Sequence, residues 1–269
     1  MPKETVKDLE IYYHIQGRGE PLVMIQGVTM DCSYWINQIP VLSEQYRLIV
    51  LDNRGVGLTG TSEPPYTTAQ MADDLAGLLT ALEIPSAHVL GFALGGCVAQ
   101  HFALKYPVRV KSLILAATSA CPAVEAPRSM YIGSRLQKLA DLGIDAETRT
   151  SMMVPWVLTP KFFEDPVNVK MVVKLTQAVT RQQTIKGLAG QIDAGLSHDT
   201  RKDLGEIKAP TLVLVAKEDL ILPVQLSEGL AAAIPGAELK VLPRVGHLSF
   251  YEEPDLFNQA VMEFVDKQV

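Results

Sequence analysis

The sequence has few cysteines and no long apolar run, and each shortage excludes a class of protein. Its three cysteines, Cys32, Cys97 and Cys121, are scattered, which is typical of free thiols in a reducing compartment and gives no paired spacing for a metal site. No apolar run is longer than a strand, so we expect no segment that crosses a membrane. The polar N-terminus lacks the apolar core of a signal peptide. We therefore expect a cytoplasmic protein.

Positive charge is also scarce. The chain has 24 Lys and Arg residues against 30 Asp and Glu, which gives a formal net charge of -6. The basic residues form no cluster, whereas a surface that binds nucleic acid needs clustered Lys and Arg. Nucleic acid is therefore excluded as an expected partner.

The chain does contain a regular alternation of short apolar runs and helical patterns. Runs at 21–25, 47–51, 87–90 and 211–215 lack polar alternation, which predicts strands buried on both faces. Helical patterns fill the gaps between them, for example at 68–82, where apolar residues recur every three or four positions. This alternation predicts an α/β fold with a mostly parallel central sheet that helices cover on both faces.

One long segment breaks the rhythm. Between about Pro122 and Lys208 there is no strand-like run but there are several helical patterns, among them 130–142 and 167–179. We therefore predict a core domain formed by residues 1–121 and 209–269, with a helical cap, residues 122–208, inserted between two of its strands.

The most informative stretch, residues 88–96, joins a predicted strand to a predicted helix through almost no loop. Its residues Gly91, Ala93 and Gly95 match the G-x-S-x-G nucleophile elbow, with alanine in place of serine. Such a turn strains its central residue and needs small residues on either side. It also places the Leu94 N–H at the start of a helix, where developing negative charge is stabilised. Position 93 is therefore the predicted nucleophile position.

Two polar residues follow strand-like runs later in the chain. Asp219 comes after the run 211–215 and His247 after the run 239–242, so the order is elbow, acid, base. This is the chain order of a Ser-Asp-His triad on an α/β sheet. Earlier in the chain, Asp52 ends a strand beside Arg54, and we expect these two side chains to form a salt bridge that fixes a loop.

With these features the chain resembles the α/β-hydrolase superfamily over essentially its whole length, and within it the small bacterial esterases and enol-lactonases. The matching pieces are Gln26-Gly27 after an early strand, the segment 52–57, the elbow, the Asp219 loop with Pro223, and Gly246-His247 followed by Glu253-Pro254. Many relatives have His-Gly where this chain has Gln26-Gly27.

The resemblance implies an α/β-hydrolase fold and a catalytic triad at position 93, Asp219 and His247. It also implies an oxyanion hole formed by the backbone N–H groups of Val28 and Leu94. Neither a metal nor an organic cofactor is required by this mechanism. The candidate substrate-pocket residues are Gln26, Trp35, Met130, Met153, Trp156 and Leu248.

Ala93 leaves three explanations open. It is an engineered Ser→Ala replacement, a natural loss of catalysis in a protein that binds or signals, or part of an enzyme in which His247 and Asp219 activate water. The first is favoured, because the elbow glycines, Asp219 and His247 all remain. A strained turn costs conformational free energy and has no catalytic benefit without a nucleophile.

We therefore expect a carboxylic-ester or lactone hydrolase that is inactive in this form. Its expected substrate is a small, uncharged, moderately apolar acyl compound, and its expected state is a monomer or homodimer. The alternatives are a C–C bond hydrolase with the same triad and a non-catalytic ligand-binding or signalling protein.

Overall fold

A computed structural model describes residues 2–121, 126–180 and 183–269. Within these ranges the chain forms one sheet of eight strands with the order β1-β2-β4-β3-β5-β6-β7-β8. The strands are β1 Lys3–Val6, β2 Leu9–Gln16, β3 Glu20–Ile25, β4 Tyr46–Leu51, β5 Ala87–Phe92, β6 Val110–Ala116, β7 Thr211–Ala216 and β8 Glu238–Leu242. From β4 to β8 all neighbouring strands are parallel, while β1 and β2 are antiparallel at one edge.

Helices cover both faces of this sheet. The helices are α1 Ile39–Leu42, α2 Thr68–Ala81, α3 Leu94–Lys105, α4 Pro127–Asp141, α5 Ala146–Ser151, α6 Val154–Val157, α7 Pro166–Thr180, α8 Ile185–Ser197, α9 Val224–Ala233, α10 Ser249–Glu252 and α11 Pro254–Val265. No helix in the described ranges is long and apolar enough to span a bilayer.

The two-residue period of a strand divides the core into two layers. In β3, Val23 and Ile25 pack with α2 and α3 on one face, whereas Leu22 and Met24 pack with α11 on the other. The central strands are thus apolar on both sides, as their unbroken apolar runs predict. The predicted α/β architecture with a mostly parallel sheet is confirmed.

The segment between β6 and β7 contains α4 to α8 and, in its described part, no strand. The helical pattern at 130–142 corresponds to α4 and the pattern at 167–179 to α7. Leu158 and Phe162 from this segment are buried in the core layer that contains α11. The predicted first residue of the cap, Pro122, lies outside the described residues, and the division into a core and a cap stays a prediction.

Four strands deliver loops to a single edge of the sheet. Because β3, β5, β7 and β8 are parallel, their carboxyl ends meet there, each followed by a candidate site segment. The four segments begin at Gln26, Ala93, Lys217 and Pro243. The fold therefore brings together positions that lie more than a hundred residues apart in the chain.

Candidate active site

Ala93 occupies the sharp turn between β5 and α3. Its backbone angles are φ 48° and ψ −113°, which a residue with a Cβ adopts only when its surroundings hold it there. The Ala93 N–H donates to the carbonyl of Ala116 at 3.0 Å, and the Ala93 carbonyl accepts from Thr118 Oγ1 at 2.7 Å. The strain of a nucleophile elbow is therefore present although the nucleophile is not.

The glycines on either side of Ala93 have no room for a side chain. A Cβ on Gly91 would lie 2.3 Å from the carbonyl oxygen of Gly95, and a Cβ on Gly95 would lie 2.2 Å from that of Ile25. The backbones of β5, α3 and the end of β3 are thus in direct contact. The glycines are needed for this close approach and do more than mark a bend.

Asp219 and His247 meet at the same edge of the sheet. His247 Nδ1 lies 2.7 Å from Asp219 Oδ2, and both side chains are buried. The other Asp219 oxygen accepts the N–H groups of Ile221 and Leu222 at 2.8 and 2.9 Å. A carboxylate held in this way accepts a hydrogen bond from the Nδ1–H of His247. The other ring nitrogen, Nε2, is then the one that can accept a proton.

The two candidate oxyanion donors lie on either side of position 93. Leu94 is the first residue of α3, and Val28 follows Gly27, where an added Cβ would lie 3.3 Å from the Ala93 Cβ. Within the part of the chain that the structure describes, neither the Leu94 N–H nor the Val28 N–H donates to a protein acceptor. Both are therefore available to a ligand oxygen at this place.

Ala93, Leu94, Val28 and His247 all line one cavity of about 190 Å³. Helices α4 and α8 also line it, with residues such as Leu136 and Ile192. The described lining is mostly aliphatic and includes no Lys, Arg, Asp or Glu side chain. Ser119, Ser129 and Gln191 supply polar groups. The described residues contain no group of three His, Cys, Asp or Glu side chains able to hold a metal ion.

Residues 20–254 match the family model of the alpha/beta hydrolase fold. The chain belongs to the α/β-hydrolase family. A protein of Pantoea ananatis provisionally named carbamate hydrolase RutD is 30% identical over 263 residues, which cover 96% of this chain and 94% of that protein.

Two solved structures are also similar over nearly their whole length. A thermophilic esterase from Thermogutta terrifontis, solved with malate bound, has a TM-score of 0.88 at 28% identity and covers 99% of this chain and 98% of its own. The enol-lactonase from Burkholderia xenovorans LB400 has a TM-score of 0.88 at 26% identity and covers 98% of this chain and 100% of its own. The predicted resemblance to esterases and enol-lactonases therefore extends over the whole chain, and these relatives are hydrolases.

Three of the six pocket residues predicted for this α/β hydrolase line the cavity, namely Met130, Met153 and Leu248. The other three, Gln26, Trp35 and Trp156, are not among the described residues that line it. Trp35 is fully buried and packs on Phe250 with 4.7 Å between ring centroids. Trp156 is 43% exposed on α6.

The side chain of Gln26 forms hydrogen bonds in the core. With its amide oriented to pair donors with acceptors, its nitrogen donates to the carbonyl of Leu51 at 2.8 Å and its oxygen accepts from Trp35 Nε1 at 3.1 Å. The side chain thus ties the end of β3 to the end of β4. A pocket role was predicted for Gln26, but the side chain points into the core.

The predicted salt bridge between Asp52 and Arg54 is wrong. Arg54 makes a two-pronged ion pair with Asp74 on α2, with both N–O distances 2.7 Å. Asp52 instead accepts the N–H groups of Cys32 and Leu58 at 2.7 and 2.8 Å, and burial raises the pKa of its carboxyl to about 6. Both residues still fix the loop after β4, through partners that the sequence order does not reveal.

Cys97, one helical turn beyond Ala93, is a buried thiol. It lines the cavity, but burial raises its pKa to about 11 and its Sγ lies 3.5 Å from Thr118 Oγ1. Because a thiolate is the reactive form, the surroundings favour a packing role for this residue.

Sequence reasoning missed two residues that tie the segment between β6 and β7 to the site. Glu252 on α10 accepts the N–H groups of Gly246 at 2.9 Å and of Thr159 at 3.1 Å, so it links the His247 loop to that segment. Burial raises the pKa of Glu252. Gln191 on α8 bonds to the backbone of Thr29, beside Val28. No local pattern signals the links to Thr159 and Thr29, because these partners lie 93 and 162 positions away.

Proposed function

We propose that this α/β hydrolase is a serine-type hydrolase of carboxylic esters or lactones, present here in an inactive form with Ala93 at the nucleophile position. One observation carries the proposal. The strained elbow at Ala93 and the buried Asp219–His247 pair open onto the same cavity. A pair of side chains with this geometry activates a hydroxyl placed at the elbow.

The proposed mechanism uses the residues already described. A serine oxygen at position 93 attacks the acyl carbon while His247 Nε2 takes its proton, and Asp219 stabilises the resulting imidazolium. The N–H groups of Leu94 and Val28 stabilise the oxyanion. His247 then protonates the leaving oxygen, and a water that it deprotonates attacks the acyl-enzyme to release the acid.

The proposed substrate is small, uncharged and moderately apolar. A carboxylate placed among the aliphatic lining of the cavity would lose its hydration without gaining a cationic partner, which is costly. The similar proteins are named as a carbamate hydrolase, an esterase and an enol-lactonase. Esters, lactones and carbamates share an acyl carbon bonded to a heteroatom, so all three belong in the substrate panel.

For Ala93 itself we propose an engineered Ser→Ala replacement. The glycines, hydrogen bonds and positive φ that maintain the elbow are all retained, and they give no benefit without a nucleophile. A second candidate function, ligand binding without turnover, is favoured by Ala93 taken at face value. Whether the natural gene encodes Ser or Ala at this codon separates the two readings.

Assay of the Ala93→Ser variant beside the unaltered protein tests the proposal. The panel is p-nitrophenyl butyrate, a γ-lactone, an aryl carbamate and a diketone, and a fluorophosphonate label is read by intact mass. We expect the variant to gain about 10³-fold or more in ester or lactone hydrolysis and to take one label.

The matched control adds Asp219→Asn to Ala93→Ser. Because it misorients the histidine, it should remove most of the gained activity, about 10³-fold or more. An Ala93→Ser variant that is inert and unlabelled would refute the serine-hydrolase proposal and favour the binding protein. Cleavage of the diketone alone would support the C–C bond hydrolase.

A further inference from the structure

We infer that Gln191 is a positioning residue for the oxyanion hole, because it holds the turn that contains Val28 in a strained conformation against position 93. The inference rests on the proposed function, since it assigns Gln191 a part in the same site. Gln191 lies on α8, 162 residues away from the backbone group that it binds.

The turn that it binds is strained. The N–H of Met30 donates to the carbonyl of Gly27 at 3.4 Å, which closes a four-residue turn around Val28 and Thr29. Thr29, at the third position, has a φ of 66°. Glycine or asparagine is favoured there, and a β-branched residue is disfavoured because its side chain crowds the backbone. An outside contact must therefore hold Thr29 in place.

Gln191 supplies that contact. Its Oε1 accepts the Thr29 N–H at 2.9 Å, and its Nε2 donates to the carbonyl of Arg54 at 3.0 Å. The side chain is 1% exposed, so water does not compete with either bond. Its Oε1 also accepts from Gln183 Nε2 at 3.2 Å. One amide thus joins the turn beside the elbow to the loop after β4.

One helical turn before Gln191, the backbone of α8 lies directly against the loop after β4. A Cβ on Gly187 would lie 2.1 Å from the carbonyl oxygen of Gly55, so the helix and the loop after β4 touch backbone to backbone. Gly187 and Gln191 are four residues apart and lie on the same helix face. The close approach at Gly187 therefore brings Gln191 within reach of both the Arg54 carbonyl and the Thr29 N–H.

The hydrogen bond between Gln191 and Thr29 affects the position of the Val28 N–H. Val28 lies between Gly27, which packs against the Ala93 Cβ, and Thr29, which Gln191 holds. Without the hydrogen bond from Thr29, the turn relaxes toward a negative φ at that residue and the Val28–Thr29 peptide rotates. The adjoining Gly27–Val28 peptide, which carries the Val28 N–H, shifts with it. A ground-state ester makes little use of the oxyanion donor, whereas the transition state depends on it.

The catalytic test uses the Ala93→Ser variant as the parent. Adding Gln191→Leu should lower kcat by about 30-fold while KM changes by less than about threefold. The matched control adds Gln38→Leu, which removes a buried amide that donates to the carbonyl of Phe250 at 2.8 Å and does not line the cavity. It should change kcat by less than about threefold.

Glycine at position 29 distinguishes positioning from general damage. Glycine adopts a φ of 66° without strain, so the Ala93→Ser/Thr29→Gly variant has less need of Gln191. Adding Gln191→Leu to that variant should lower kcat by no more than about threefold. The inference is overturned if Gln191→Leu costs the same with threonine or glycine at position 29, if it leaves kcat within about twofold, or if its effect falls on KM.

Hydrogen exchange separates failure of this inference from failure of the proposed function. In the unaltered protein, Gln191→Leu should speed exchange of the Thr29 amide by about tenfold or more, with sheet amides such as that of Val23 unchanged. If this result is obtained and Ala93→Ser is inert, the proposed function fails while the hold of Gln191 on the turn stands. If Thr29 exchange is unchanged, the inference about Gln191 fails whether or not Ala93→Ser is active.

Discussion

His247 and His198 are both buried, but they face different partners. His247 bonds to the carboxylate of Asp219. His198 Nδ1 faces the hydroxyl of Thr68 at 3.0 Å, and its ring lies edge-on to that of His101 with 5.3 Å between centroids. Burial, together with the neighbouring His101, lowers the pKa of His198 to about 3. His198 is therefore a neutral packing residue, and among the described residues its two ring nitrogens face the hydroxyls of Thr68 and Thr200.

This lowered pKa predicts how stability depends on pH. The unfolded chain binds a proton at His198 below about pH 6.5, whereas the folded protein does not until about pH 3. The stabilisation from this residue is thus complete above pH 6.5 and is lost as the pH falls, at about 1.4 kcal/mol per unit. In urea unfolding, the stability difference between the parent and His198→Gln should shrink by about 2 kcal/mol between pH 6.5 and 5. A difference that stays constant over this range would contradict the assignment.

At the scale of elements, glycines decide which helices touch backbone to backbone. Gly187 in α8 meets the carbonyl of Gly55, while Gly229 in α9 has nothing within 4 Å of the place where a Cβ would be. Both residues are inside helices, where glycine is less favourable than alanine. The two positions therefore differ in the space available for a side chain.

Substitution of these two glycines by alanine should have opposite effects. Gly229→Ala should raise the free energy of unfolding by about 0.5–1 kcal/mol, because only helix propensity changes. Gly187→Ala should lower it by about 2 kcal/mol or more, because α8 must move away from the loop after β4. Thermal or urea unfolding of both variants measures this. Similar effects at the two positions would show that the close contact of α8 does not contribute to stability.

At the scale of the whole molecule, the charges lie outside the cavity. The chain carries a formal net charge of -6, yet the described lining of the cavity contains no Lys, Arg, Asp or Glu side chain. An anionic ligand therefore meets an acidic protein outside and no cationic partner inside. This arrangement supports the proposal of a neutral substrate.

A lactone and its ring-opened form test this selectivity on the unaltered protein. γ-Nonalactone and 4-hydroxynonanoate have the same carbon skeleton but differ by a negative charge. At saturating concentration the lactone should raise the unfolding temperature by about 4 °C or more, whereas the carboxylate should raise it by less than about 1 °C. Equal stabilisation by the two ligands would contradict the proposed neutral substrate.

Much of the fold and the centre of the site could be predicted from sequence, because both leave local signals. Unbroken apolar runs indicate buried strands, and two glycines flanking one residue after a strand indicate an elbow. Asp219 and His247 follow strand ends, and parallel strands deliver their carboxyl ends to one edge. The sequence by itself therefore determined the α/β architecture and the placement of positions 93, 219 and 247 after strand ends at one edge of the sheet.

Only the tertiary structure decided which other side chains surround the cavity. Trp35 and Gln26 are close to the oxyanion turn in sequence but point into the core, while Gln191 reaches the turn from 162 residues away. Arg54 likewise pairs with Asp74 on α2 in place of Asp52. A periodic pattern states which face of a helix is apolar but not what that face meets. Partners are set by how helices stack on the sheet, and that information exists only in the folded chain.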